Sequence, residues 1–210
     1  MDIYASDEEK GEEIKQWWRD NGRSVILGCI VGAAVIFGGR YWLTYQQTLA
    51  ANASIAYQQV VLSLNDDKVS VAEDKTHLLF SEYSTTPYAV FAAFEMAAQS
   101  TDTDSAQSYL EWVMNNADLA AHIELARFRL AQLFSNDGKF DQALTLIEHS
   151  ESAAFSSLLL ELRGDIFVAQ AQVSEARTAY KNAMIDLLQG EPRKQILQVK
   201  LDDVAESDDS

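Results

Sequence analysis

From Ser24 to Gly39 the chain reads SVILGCIVGAAVIFGG without one charged side chain. With Tyr41, Trp42 and Leu43 beyond Arg40, the apolar stretch reaches the roughly 20 residues that an α-helix needs to cross a bilayer. The residues therefore predict a transmembrane helix over 24–43. Trp17 and Trp18 before it and Tyr41, Trp42 and Tyr45 after it match aromatic belts at two interfaces, and Arg40 is placed to reach the headgroups with its guanidinium. A cleaved secretory signal fits less well. The 23 residues ahead of the run include acids, and the run ends in a bulky, basic cluster instead of an A-x-A site.

Basic residues near the span set its orientation. Lys10, Lys15, Arg19 and Arg23 precede it, and after Arg40 the next is Lys68. The positive-inside rule then puts residues 1–23 in the cytoplasm and the chain after residue 43 on the far side. Gly28 and Gly32 form a GxxxG spacing that lets another membrane helix approach closely, in a kind of segment where glycine is common in any case.

Beyond residue 43 the chain holds 25 acidic and 11 basic residues, a net charge of −14 out of −16 for the whole. That balance opposes binding to a phosphate backbone and excludes nucleic acid as a first partner. Cys29 is the one cysteine and lies within the apolar run, so one chain builds neither a disulfide framework nor a multi-thiol metal site.

Only Pro87 and Pro192 interrupt a sequence rich in Ala, Leu, Glu and Gln, and helical periodicity runs through it. Helices are expected near 44–64, 70–83, 87–99, 104–116, 119–135, 139–149, 153–170 and 173–188, with a weaker one near 193–204. Turn and cap residues separate them at Asn65-Asp66-Asp67, Thr85-Thr86-Pro87, Thr101 to Asp104, Asn136-Asp137-Gly138 and Gly190-Glu191-Pro192. No stretch alternates long enough for a strand. The fold class is all-α.

A constant shift of 33 residues aligns Leu130-Ala131, Phe134, Ala143 and Ile147 with Arg163-Gly164, Phe167, Ala176 and Tyr180. This is close to the tetratricopeptide period of about 34 residues. In such a hairpin a small residue, Ala131 or Gly164, lets two helices approach, a large one fills the gap, and Ile147 or Tyr180 caps the contact. Gly138 marks the turn of the first unit and Gln172 lies near that of the second. Both units depart from the repeat's pattern. The first lacks the early aromatic residue, neither ends in proline, and Arg163 replaces an apolar residue. Met96-Ala97 with Ala106 to Leu110 suggests a further unit with a shortened turn, and residues 46–83 another helix pair.

His77, His122 and His149 are scattered, and no HExxH, EF-hand, Walker A or GxSxG pattern occurs. No catalytic, cofactor-binding or metal site is expected. The concave groove of a tetratricopeptide stack is lined by the first helix of each unit. Matching those positions gives Phe128, Gln132 and Asn136, then Glu161, Asp165 and Val168, as a groove for an extended or helical peptide. Cover by neighbouring helices explains the same positions equally well.

The opening Met1-Asp2-Ile3-Tyr4, Asn21-Gly22 before the span, Arg40-Tyr41-Trp42 after it, Ala56-Tyr57, and Leu162-Arg163-Gly164 with Ala176-Arg177 resemble the ancillary SecYEG translocon subunit family (YfgM-like). That resemblance implies a single-pass protein of the Gram-negative cell inner membrane. It has a cytoplasmic tail over 1–23, an anchor over 24–43 and a periplasmic tetratricopeptide-like solenoid over 44–201, followed by a flexible acidic tail over 202–210. It further implies a non-enzymatic scaffold without cofactors. Its partners are the SecYEG translocon, the periplasmic chaperone PpiD and emerging secretory or outer-membrane proteins, which it helps pass to periplasmic chaperones. A different reading makes the tail, with amphipathic Ile14, Trp17 and Trp18, a regulator of a stress-response signalling protein.

Overall fold

The computed structural model of the chain describes residues 3–150, 152–187 and 190–206. Met1-Asp2 of the family resemblance and residues 207–210 of the acidic tail lie outside them. Among the described residues there are nine α-helices and no strand. They are α1 (Ile3–Asn65), α2 (Val69–Glu82), α3 (Pro87–Gln99), α4 (Thr103–Asn116), α5 (Ala120–Asn136), α6 (Phe140–Glu148), α7 (Ser156–Ala169), α8 (Val173–Ile185) and α9 (Arg193–Glu206).

The chain divides into two compact units, Met1–Ala51 and Asn52–Ser210. The first consists of most of α1. It contains the one helical stretch among the described residues that is long and apolar enough to cross a membrane, with a mean hydropathy of 1.8 over its most apolar part and almost none of that part buried. Ile26, Ile30, Ile36 and Phe37 are all exposed on it, as a lipid-facing helix requires.

In the second unit the helices pair as hairpins: the end of α1 with α2, then α3 with α4, α5 with α6, and α7 with α8, with α9 packed on α8. Three-residue links join the two helices in every case, so the turn of the second hairpin is not shortened. It is shaped differently. Ser100 and Asp102 are extended, and the Asp102 carboxylate accepts the Ser105 N–H at 2.8 Å to cap α4. The other three share one closure with a left-handed residue at Asp67, Gly138 and Ala171 (φ 57°, 73° and 60°). After each, an N–H reaches back five residues: Lys68 to Ser63, Lys139 to Phe134 and Gln172 to Phe167, all at 2.8 Å. The 33-residue shift carries Gly138 onto Ala171, one residue before Gln172.

Small residues pack where helices come closest. Ala53, Ala56, Ala72, Ala89 and Ala92 form one core with Val60, Leu79 and Met96. A second core runs from Val90 and Phe94 through Leu110, Leu130 and Phe134 to Leu159 and Ile166. A third joins Ala176, Tyr180 and Ala183 to Leu197 and Val204 of α9. Gly164 shows the fit most sharply: a Cβ on it would lie 2.9 Å from Tyr180 Cζ and closer still to the ring edge. The expected solvated end from Asp202 is helical as far as Glu206. Val204 is buried there, and its carbonyl accepts from Arg177 Nη2 at 3.1 Å.

Candidate partner-binding surface

In α3, Ala89, Val90, Ala92, Ala93, Phe94 and Met96 are buried, and the remaining stripe beside them carries Tyr88, Phe91 and Glu95, spaced by three and four residues. Those rings join neighbours on both sides. Tyr57 of α1 lies 6.0 Å from Tyr88 and 6.1 Å from Phe91 between ring centroids, and His122 of α5 stands edge-on to Phe91 at 5.7 Å. Tyr88 and Phe91 are perpendicular at 6.3 Å. Four rings from three helices thus form one row, with Phe91 37% exposed at its middle.

Edge-to-face contacts hold these rings in place, so a partner meets them with little further ordering. The Tyr57 hydroxyl donates to Glu95 Oε1 at 3.4 Å. Burial, and then the Glu95 charge, raise its pKa above the ordinary tyrosine value and keep it a donor. Below the row a hollow of about 230 Å³ is lined by Pro87, Val90, Ala117, Leu119 and His122. Leu119 is 59% exposed at its rim. An apolar, aromatic surface with one carboxylate suits side chains of a polypeptide.

The sequence-derived groove lies further along. Phe128, Gln132 and Asn136 run along α5, and Glu161, Asp165 and Val168 along α7, two helices in contact. Phe128 is half-buried against the central core, whereas Gln132, Asn136 and Val168 are exposed. Glu161 and Asp165 are engaged by α9. Lys200 Nζ donates to Glu161 at 2.9 Å and to both Asp165 oxygens at 2.7 and 2.8 Å, and Arg193 reaches Glu161 at 3.0 Å and Ser157 at 3.1 Å. Tyr180 also donates to Asp165 at 2.7 Å. Burial pushes the Lys200 ammonium down, but the bonds and charges of Asp165 and Glu161 outweigh it and leave its pKa raised.

Sequence reasoning missed Tyr88, Phe91 and Glu95. Their signal was present: aromatic residues at helical spacing beside an alanine-rich face. The three histidines stay apart, His77 beside Phe80, His122 beside Phe91, and His149 with Nδ1 2.6 Å from the Thr145 carbonyl. In the apolar stretch of α1 a Cβ on Gly28 or Gly32 would meet nothing within 4 Å, so that face of the first unit is open.

Compared with known families, residues 15–206 match the model described as a tetratricopeptide repeat-like domain. Among curated proteins the chain is similar to the ancillary SecYEG translocon subunit of Haemophilus influenzae, 27% identical over 186 residues that cover 87% of this chain and 91% of that protein. It is 26% identical to the protein of the same name in Escherichia coli K12, over 86% of this chain and 88% of that one. The relative of that name in Neisseria gonorrhoeae is 26% identical over 96% and 99% of the two chains. No solved structure matches.

Proposed function

The chain belongs to the tetratricopeptide repeat-like domain family, and from that premise we propose that it serves as an ancillary subunit of the SecYEG translocon. It is a single-pass inner-membrane scaffold with its N-terminus in the cytoplasm and its repeats in the periplasm. Its work is contact and not catalysis: it helps pass emerging secretory or outer-membrane proteins to periplasmic chaperones, PpiD among its partners.

The observation that carries this reading is the apolar segment of α1 in a chain whose relatives, covering nearly its whole length, bear the translocon subunit's name. An anchor confines the repeats near the channel exit and raises their effective concentration there, so weak contacts suffice. The aromatic row of Tyr57, Tyr88, Phe91 and His122 receives apolar side chains of an emerging chain, with exposed Gln132, Asn136 and Val168 bordering its path. The acidic surface favours basic or partly unfolded clients. Gly28 and Gly32 give the anchor a face for a translocon helix.

A photo-crosslinking amino acid at Phe91, compared with one at exposed Lys181, tests the groove in living cells. The expected outcome is adducts with secretory polypeptides or a periplasmic chaperone from position 91 and not from 181. The same adduct pattern from both positions would contradict it.

A further inference from the structure

Arg163 stands where the 33-residue shift places Leu130 in the preceding unit. Leu130 is 2% exposed in the central core. A cation at the corresponding position calls for a reason, and the surroundings supply one. The preceding second helix, α6, has only nine residues against 13 in α8. It stops at Glu148. Two hollows flank α7 here, one of about 330 Å³ towards α8 and one of about 300 Å³ beside the end of α6, and both are lined by Leu160 and Arg163.

The first hollow lies along α7 and α8. Phe167 and Ala179 provide apolar floor, and Ser174, Thr178 and Asn182 follow one another at every fourth residue of α8. The second is lined by Ile147, Leu159 and Glu148. The Arg163 guanidinium rests on the Phe167 ring at 5.4 Å, and among the described residues no carboxylate lies within ion-pair distance of it. Glu175 lines only the first hollow, Glu148 only the second, and Arg163 both. The cleft therefore carries its charges in the order negative, positive, negative.

We infer that this cleft docks a short amphipathic polypeptide segment with the complementary order: a carboxylate at its centre paired to Arg163, basic side chains towards Glu148 and Glu175, and apolar side chains on Leu160 and Phe167. Two features select this occupant. A half-buried guanidinium gains most from a carboxylate that brings hydrogen bonds as well as charge. A segment with two bases and one acid is also net positive, so the acidic domain attracts it while the centre of the cleft fixes its register. The site is separate from the aromatic row and does not depend on what that row binds.

The test uses full-length protein in a non-ionic detergent and two fluorescein-labelled peptides, Lys-Ser-Leu-Glu-Leu-Ser-Lys and its charge-reversed form Glu-Ser-Leu-Lys-Leu-Ser-Glu. Fluorescence anisotropy should show the first binding at least about tenfold more tightly. Arg163→Leu, which restores the residue type of the preceding unit, and Arg163→Gln should both weaken binding of the first peptide and narrow that preference while circular dichroism and the urea midpoint report an intact fold. Tyr88→Ala with Phe91→Ala should leave it unchanged. Equal binding of the two peptides, unchanged binding by Arg163→Leu and Arg163→Gln, or loss of the preference in the aromatic double variant would overturn the proposal.

Discussion

Gly164 and Tyr180 illustrate what a single position decides. The 33-residue alignment already paired them as small residue and cap, and in the fold the Tyr180 ring occupies the space a Cβ would need. The ring is not free to withdraw, because its hydroxyl is bonded to Asp165 at 2.7 Å. Gly164→Ala should therefore destabilise the domain by about 1–3 kcal/mol, the usual effect of overpacking a filled core. Ala131→Gly, at the matching position of the preceding unit, should cost no more than about 1 kcal/mol, mainly through helix propensity. Urea unfolding of both variants checks this, and equal midpoints would contradict it. What single residues did not disclose was their cover. Glu161 and Asp165 read equally as groove acids or as positions covered by a neighbouring helix, because nothing local in α7 announces that Lys200, 35 residues beyond Asp165, reaches back to both.

Among the elements, hairpin helices were legible because alanine-rich faces and turn residues repeat, while α9 was the weakest in its pattern. Its role rests on long-range pairing: Leu197 and Val204 in the core, Arg193 and Lys200 on the acids of α7. Similarly, α7 starts at Ser156, later than the expected 153, and α8 ends at Ile185, before the expected 188. Element ends follow packing more than propensity. The α9 contact has a pH signature. Lys200 holds its proton above the ordinary 10.5, and Tyr180 holds its own well above the ordinary 10.0, chiefly because burial disfavours the phenolate and then because Asp165 accepts its hydrogen. As pH rises past 10 the unfolded chain releases both protons first, so the folded state binds more and stability falls. Urea midpoints measured upwards from pH 9 should drop, and the drop should be shallower in a Lys200→Met, Tyr180→Phe double variant. An equally steep decline in that variant would show that the contacts of Lys200 and Tyr180 with Asp165 do not contribute.

At the scale of the whole molecule, the apolar run and the two related hairpins sufficed to read an anchored all-α repeat protein, because a span and a 33-residue period are written in local composition. The aromatic row was not legible in the same way. It draws Tyr57, Tyr88, Phe91 and His122 from three helices that meet only after the hairpins stack. The proposed function requires the anchor to hold this stack beside the translocon. Mild-detergent affinity purification of the tagged full-length protein, beside a version lacking residues 1–43, tests it most directly, with partners identified by mass spectrometry. The expected result is SecY together with a periplasmic chaperone on the full-length protein, and loss of at least SecY without the anchor. Recovery of neither, with a cytoplasmic signalling protein in their place, would contradict the account and move the function to residues 1–23.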